Sequence, residues 1–161
     1  MAYTHFTGPV VSQNGFISGT GSVVSVTTSA VTVTASAHAG RVVLLNRAAG
    51  VTATLPAATG TGNTYTFVVK TTVTSNSDII KVANATDVMQ GRAYVISDNS
   101  AAVLGYAPAA SDDTITLNGT TTGGYVGDII TVQDIASGFW QVVVDTRATG
   151  TEATPFSATV S

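Results

Sequence analysis

Apolar and polar residues alternate with a period of two along much of the chain. Val24 and Val26 flank a serine, and Val31, Val33 and Ala35 are separated by threonines. An alternation of this kind predicts strands that bury one face and leave the other in contact with water. Similar patterns or short apolar runs predict further strands at 42–45, 52–55, 65–69, 79–82, 93–96, 114–117, 128–132 and 139–144.

Three segments depart from simple alternation. The run Val42–Leu45 is apolar at every position, which is typical of a strand buried on both faces. Asp87–Gln90 has the length of a single helical turn. Residues 101–110 are rich in alanine and favour a helix, but Gly105 and Pro108 interrupt them, so a strand is predicted equally well.

Turn signals separate the predicted strands, for example at Gly60–Asn63, Asn118-Gly119 and Ser137-Gly138. The strands recur roughly every 8–12 residues, and no long helical pattern lies between them. The sequence therefore predicts an all-β fold, either an antiparallel sandwich or a barrel of short strands. An α/β fold is disfavoured, because it would require helices between the strands.

The predicted strands occupy the middle of the chain. Residues 22–146 form the predicted β domain, and a subdivision near 84–91 stays open, although no linker-like stretch requires it. Residues 1–21 are predicted to be an extended N-terminal arm, because Gly-Pro, Asn-Gly and Gly-Thr-Gly steps interrupt them. Residues 147–161 form a small, polar C-terminal tail whose main apolar anchor is Pro155-Phe156.

Composition narrows the classes of function. Only 9% of the residues are charged, against about 25% in an average soluble domain, while the chain has 28 threonines and 23 valines. A surface of threonine, serine, asparagine and glycine suits a structural or binding module better than an enzyme. The six cationic residues are scattered singly, which argues against direct nucleic-acid binding, and no polybasic or amphipathic segment points to a membrane.

Side chains that build active sites are few. Cysteine is absent, which excludes disulfides and cysteine-ligated metal sites. The histidines, His5 and His38, are not accompanied by a nucleophile motif. Asp112 and Asp113 are adjacent, and neighbours in an extended chain point to opposite faces, so they do not predict a catalytic pair. We therefore predict no catalytic residue, no cofactor and no metal site.

Three predicted turns share only part of the pattern of a ligand site. Gly60-Thr61-Gly62 begins like a dinucleotide-binding loop, but a strand follows it where a helix N-terminus is needed, so a hairpin turn is the better interpretation. The oxygen atoms of Asp98-Asn99 and Asp112-Asp113 leave calcium binding open, although no twelve-residue ligand loop supports it. We favour turns in which these side chains bond nearby backbone.

Aromatic residues divide between core and surface in this interpretation. Tyr65 and Phe67 share one strand face, which is typical of a core. Phe139 and Trp140 point in opposite directions, so one of them is expected inside and the other near a surface or an interface. We take Trp140 as the candidate surface or interface aromatic.

The run Leu-Pro-Ala-Ala-Thr-Gly-Thr-Gly-Asn-Thr-Tyr at 55–65 has the segments 42–45 and 66–69 on either side of it. Through this run above all, residues 39–91 resemble virion proteins of tailed bacteriophages. Segments 74–82 and 87–91 add to the similarity. Patterns of this kind recur in head decoration proteins and in fibre proteins, and the rest of the chain resembles the group in texture alone.

The resemblance implies a non-enzymatic virion component that is commonly trimeric. We expect a decoration, or cement, protein that is made in the host cytoplasm, binds the capsid exterior and stabilises contacts between major capsid subunits. The alternative is a tail-fibre or head-fibre module that binds a host receptor or glycan; a glycan hydrolase or lyase is less favoured. The expected capsid contacts are the larger side chains of the arm: Tyr3, Phe6, Val10, Val11, Phe16 and Ile17.

Overall fold

A computed structural model describes residue 7 and residues 22–160 of the chain. Over this part the protein forms twelve strands and one helical turn, α1 (Ala35–His38). The strands are β1 (Val23–Val26), β2 (Ala30–Thr32), β3 (Val42–Leu45), β4 (Thr52–Thr54), β5 (Thr64–Val69), β6 (Asp78–Lys81), β7 (Val88–Ser97), β8 (Val103–Tyr106), β9 (Thr114–Leu117), β10 (Ile129–Ala136), β11 (Phe139–Ala148) and β12 (Phe156–Ser157).

The strands form two sheets that pack as a sandwich, which confirms the all-β prediction. The seven-stranded sheet has the order β1-β3-β5-β10-β11-β7-β8, and the five-stranded sheet has the order β12-β9-β6-β4-β2. Each sheet begins and ends on a different strand within the described part of the chain, so the barrel alternative is not formed.

The sheets are mixed, so the expectation of a purely antiparallel sandwich is wrong in this respect. Strands β1, β3 and β5 are parallel neighbours in one sheet, and β2, β4 and β6 are parallel neighbours in the other. The first six strands therefore alternate between the two sheets, and each connection crosses the sandwich. Strand β7 also pairs in parallel, with β11, whereas β10 and β11 form an antiparallel hairpin.

Alternating side chains of both sheets point inward and form one hydrophobic core. Trp140, Tyr65 and Phe67 are its largest fully buried side chains. The core includes residues on both sides of 84–91, such as Leu55 and Trp140. Val42–Leu45, expected to be buried on both faces, buries only every second residue. The other side chains of this run belong to the outward face of the seven-stranded sheet.

Several local predictions are corrected by the tertiary structure. The four-residue segment from Asp87 begins β7 at Val88 and does not form a helical turn, and residues 103–106 of the alanine-rich segment form β8. Ala35, predicted as strand, begins α1. The tail predicted from residue 147 is partly sheet, because Arg147 and Ala148 belong to β11 and Phe156 is buried in β12.

Candidate interaction surface

The described residues lack the clusters of ionisable side chains that a metal site needs. They contain no group of three or more His, Asp or Glu side chains that could hold a metal ion. His38 is buried at the end of α1, where its Nδ1 accepts a hydrogen bond of 3.0 Å from the backbone N–H of Thr34. The imidazole thereby holds the chain where it enters α1, which is a structural role.

Most of the aspartates are buried and bind backbone amides. The five buried members of the set are Asp78, Asp87, Asp113, Asp128 and Asp134. A carboxylate that accepts several N–H groups fixes a loop strongly, because charge-assisted hydrogen bonds are shorter and stronger than neutral ones. Carboxylates occupied in this way are not free to act as general acids or bases.

Asp134, on β10, accepts four hydrogen bonds from a single loop. Its Oδ1 accepts the N–H groups of Thr59 and Gly60 at 3.0 and 2.7 Å, and its Oδ2 accepts the N–H and the hydroxyl of Thr61 at 3.0 and 2.7 Å. Burial raises the pKa of Asp134, but the hydrogen bonds from Thr61, Gly60 and Thr59 outweigh it and leave the pKa below its usual value. The glycine-containing loop therefore already holds an anion from its own chain.

This loop differs from the hairpin that the sequence predicted. It joins β4 in the five-stranded sheet to β5 in the seven-stranded sheet, so it crosses the sandwich. Gly60 and Gly62 have φ angles of 79° and 74°, which other residues adopt only with strain. A phosphate-binding role is not supported, because the amides of residues 59–61 already bind Asp134.

Asp128 holds a second loop, at the start of β10. Its Oδ2 accepts the N–H groups of Gly124 and Tyr125 at 2.8 and 3.0 Å, and its Oδ1 accepts the N–H of Arg147 at 3.2 Å. Burial raises the pKa of this carboxyl, and the hydrogen bonds lower it only in part. The side chain therefore connects the 123–127 loop to β11.

Asp78, at the start of β6, has the fewest hydrogen-bond partners of the five buried aspartates. Its Oδ1 accepts the N–H of Val51 at 2.8 Å, but its Oδ2 is buried without a partner. Burial raises its pKa to about 6, against a smaller lowering by the bond from Val51. A raised pKa is often a sign of a catalytic acid, but Asp78 belongs to no group of three or more His, Asp or Glu side chains that could hold a metal ion within the described residues.

The acidic pair at 112–113 is divided as expected, with Asp112 partly exposed and Asp113 buried. The Oδ2 of Asp112 accepts the N–H of Ala109 at 2.8 Å, which is a local turn bond of the predicted kind. The Oδ1 of Asp113 accepts the N–H of Thr159 at 2.9 Å, so this carboxylate fixes the C-terminal segment against β9. Local turn bonds are made mainly by asparagines: Asn118 accepts the N–H of Thr120, two residues later, at 2.9 Å.

Trp140 lies in the core, so its assignment as a surface aromatic is wrong. It is 0% exposed, and its ring is 5.9 Å from that of Tyr65. Phe139 is the outward member of the pair, with 40% of its surface exposed. Alternation correctly placed the two residues on opposite faces, but the sequence did not show which face was inside.

The outer face of the seven-stranded sheet is the main candidate for a functional surface. Five of its apolar side chains stand between 42% and 58% exposed, and they lie on β1, β7, β8 and β10: Val23, Tyr94, Ile96, Val103 and Ile129. Partly exposed apolar residues lie between them on the same face: Val42, Leu44, Val68 and Val143. We call this set the apolar outer face.

The outer face of the five-stranded sheet has different chemistry. Residues opposite its core positions are mostly hydroxyl-bearing or charged: Thr32, Thr52, Thr54, Lys81, Thr116 and Ser157, with Ala30 and Ile79 as the apolar members. We call this set the threonine face. Threonine packs like valine in a sheet but bonds to water, so this surface is suited to remain in solvent.

The arm residues expected to contact the capsid lie outside the described residues: Tyr3, Phe6, Val10, Val11, Phe16 and Ile17. Comparison with protein families, with curated proteins and with solved structures finds no match for this chain. In the described part of the chain, no helix is long and apolar enough to span a membrane.

Proposed function

We propose that this protein is a capsid decoration protein of a tailed bacteriophage. It binds the outside of the head and stabilises contacts between major capsid subunits, without catalysing a reaction. The observation that carries the proposal is the apolar outer face, a sheet surface that turns large apolar side chains outward. Surfaces of this kind on a soluble β domain are typical of stable protein–protein contact.

Two further features support a structural role. The buried aspartates bind backbone amides, as Asp134 does with Thr59, Gly60 and Thr61, so the ionisable groups of the interior serve to hold loops in place. Both sheets also end in edge strands, β1 and β8 in one sheet and β12 and β2 in the other. Edge strands carry unpaired backbone groups to which an extended segment of a partner adds a strand.

In the proposed mode of action, residues 1–21 contact the capsid and copies of the chain associate as a homotrimer. Each arm supplies a modest binding energy. Joining three arms in one assembly raises the effective concentration of the second and third arms, so the trimer is held more tightly than a monomer. A protein held at several points in this way resists the separation of adjacent capsid subunits.

Co-sedimentation with empty phage heads that lack the protein tests the proposal. The full chain is expected to sediment with heads, and a variant lacking residues 2–16 is expected to remain in the supernatant with the circular dichroism spectrum of the intact β fold. Heads loaded with the full chain should also resist heating better than bare heads. Equal binding by the truncated variant would refute the assignment of the arm, and no binding by the full chain would refute the proposed function.

The alternative of a fibre module is not supported by an exposed tryptophan. An exposed Trp140 in a cleft would have favoured a glycan-binding module, but this side chain is buried against Tyr65. Glycan-array binding by the isolated protein would nevertheless restore that alternative in preference to decoration.

A further inference from the structure

The apolar outer face falls into two main groups of side chains on the seven-stranded sheet. In one group, Leu44, Val68 and Ile129 are register neighbours on β3, β5 and β10. In the other, Ile96 on β7 is paired with Val103 on the edge strand β8. Asp145 and Arg147 on β11 lie between the two groups. Within each group the apolar side chains are neighbours and are not scattered singly, as exposed apolar residues usually are.

The size of this surface matches what a stable contact needs. Seven strands spaced about 4.8 Å apart span roughly 30 Å, and six residues along each strand add roughly 20 Å. The face is therefore on the order of 600 Å², against roughly 800 Å² for each partner of a standard interface. It is large enough to carry a specific contact with one partner.

The few charges on the apolar outer face are of both signs. Asp145 lies beside Tyr94 on the neighbouring strand, and Arg92 and Arg147 occupy the outward positions on either side of that pair. The guanidinium of Arg92 lies 5.8 Å from the ring centre of Tyr94. No ion pair joins Asp145 to either arginine within the described residues, so its charge is left for a partner to match.

We infer that the partner on the apolar outer face is a second copy of this chain. A surface with one carboxylate between two arginines is complementary to another copy of itself, because each copy brings both signs to the contact. The apolar residues around these charges supply the area that is removed from water. The inference rests on the proposed function only for the expected number of copies, which is three. In a closed trimer the contact is heterologous, so one part of the apolar outer face of each copy meets a different part of the same face on its neighbour.

A matched pair of double variants tests the inference on the isolated protein, with no phage heads present. Ile96→Glu with Val103→Glu places two carboxylates on the apolar outer face. Ala30→Glu with Thr32→Glu places two on the threonine face, also at exposed positions and with the same change in net charge. Sedimentation velocity gives the mass of each variant, and near-ultraviolet circular dichroism of Trp140 and Tyr65 reports whether the core is intact.

The wild-type protein is expected to sediment as one oligomer at micromolar concentration. Ile96→Glu with Val103→Glu should raise its dissociation constant roughly 100-fold or more, because it places two adjacent carboxylates in the contact with only Arg147 beside them, and desolvating them is costly. The control should change the dissociation constant little. A second double variant, Ile96→Thr with Val103→Thr, keeps the shape of the strands and should weaken association to a smaller extent.

Other results would overturn the inference. A wild-type monomer, or an oligomer equally sensitive to both glutamate pairs, would exclude the apolar outer face as the contact. An oligomer that dissociates on loss of residues 2–16 but tolerates the glutamates would assign the contact to the arm. Since co-sedimentation with heads is measured separately, a monomer that binds heads would refute this inference alone, and an oligomer that does not bind heads would refute only the proposed function.

Discussion

The outer faces of the two sheets share one backbone geometry and differ in their side chains. The seven-stranded sheet turns valine, isoleucine and tyrosine outward, for example Val103, Ile96 and Tyr94. The five-stranded sheet turns outward mostly threonine, such as Thr52 and Thr54 on β4. Both choices favour strands, because β-branched side chains fit a pleated surface. The two faces differ in the proportion of hydroxyl-bearing side chains, because the seven-stranded sheet turns outward only some threonines, such as Thr66 and Thr131, among its apolar residues.

The same comparison extends to the aspartates of the two sheets. Asp134, on the seven-stranded sheet, is held by three N–H groups and a hydroxyl, and its pKa lies below the usual value. Asp78, on the five-stranded sheet, has one N–H partner and one unpartnered oxygen, and its pKa lies near 6. The pKa values of the two carboxyls therefore shift in opposite directions, because Asp78 is more strongly desolvated and has fewer hydrogen-bond donors than Asp134.

The largest effect is expected inside the sandwich, where the two sheets do not differ. Trp140→Ala should cost about 3–5 kcal/mol of unfolding free energy, because it leaves a cavity in a core shared by both sheets. Urea unfolding followed by far-ultraviolet circular dichroism measures the loss. Phe139→Ala is the matched control, since its side chain points outward, and it should cost less than about 1 kcal/mol. Similar losses for both would contradict the assignment of inner and outer faces.

The second effect is a pH dependence assigned to the five-stranded sheet. The pKa of Asp78 is higher in the folded protein than in the unfolded chain, so its proton stabilises the fold at low pH. That contribution is lost as pH rises from about 4 to about 6, and a shift of this size corresponds to roughly 3 kcal/mol. Asp78→Asn retains an acceptor for Val51 and does not titrate. Relative to wild type, it should therefore gain roughly this amount between pH 4 and pH 7 in urea titrations, and parallel profiles would refute the argument.

The third effect has the opposite sign and belongs to the seven-stranded sheet. Asp134→Ala leaves the amides of residues 59–61 without their acceptor and should cost about 2 kcal/mol at pH 7. Because the pKa of Asp134 is lowered on folding, its contribution is present above the unfolded value and lost as pH falls through the folded value. Asp145→Ala, at an exposed position of β11, is the control. An Asp134 variant as stable as this control at pH 7 would show that the loop does not depend on the carboxylate.

The smallest effect on stability is expected at the outer faces themselves. Ile96→Thr with Val103→Thr, and the converse Thr52→Val with Thr54→Val, should each change the unfolding free energy by less than about 1 kcal/mol. The two variants should change the hydrophobicity of the protein surface in opposite directions. Binding of a hydrophobic dye to monomeric protein should fall in the first variant and rise in the second. The same direction of change in both would mean that the two faces are not chemically distinct.

Positions of strands were largely predictable from the sequence, and their pairing was not. Alternation of period two is a local property, so segments such as 65–69 and 114–117 were found close to their observed bounds. The choice between parallel and antiparallel neighbours depends on where each connection goes. The loop at 59–63 has the composition of a hairpin, yet it crosses between sheets because Asp134, more than 70 residues later, holds its amides.

The candidate surface left a signal that the sequence analysis interpreted differently. The consecutive apolar residues of 42–45 indicated a strand covered on both sides. The structure buries Val43 and Leu45 and turns Val42 and Leu44 to the apolar outer face. A fully apolar run is consistent with the structure if another molecule covers the outward side chains of Val42 and Leu44. The sequence also did not show which of Phe139 and Trp140 faces the core. Both residues are aromatic, and alternation shows only that they point in opposite directions.

The sequence by itself determined that this protein is a sheet-forming chain with little charge, because composition and period-two alternation act locally at every residue. Only the tertiary structure decided which strands are neighbours, which aromatic residue is buried and which sheet exposes its valines. These features depend on contacts between residues far apart in the chain, such as the carboxylate of Asp134 with the 59–61 loop and the register of Ile96 with Val103. Long-range contacts of this kind leave no periodic pattern in the sequence.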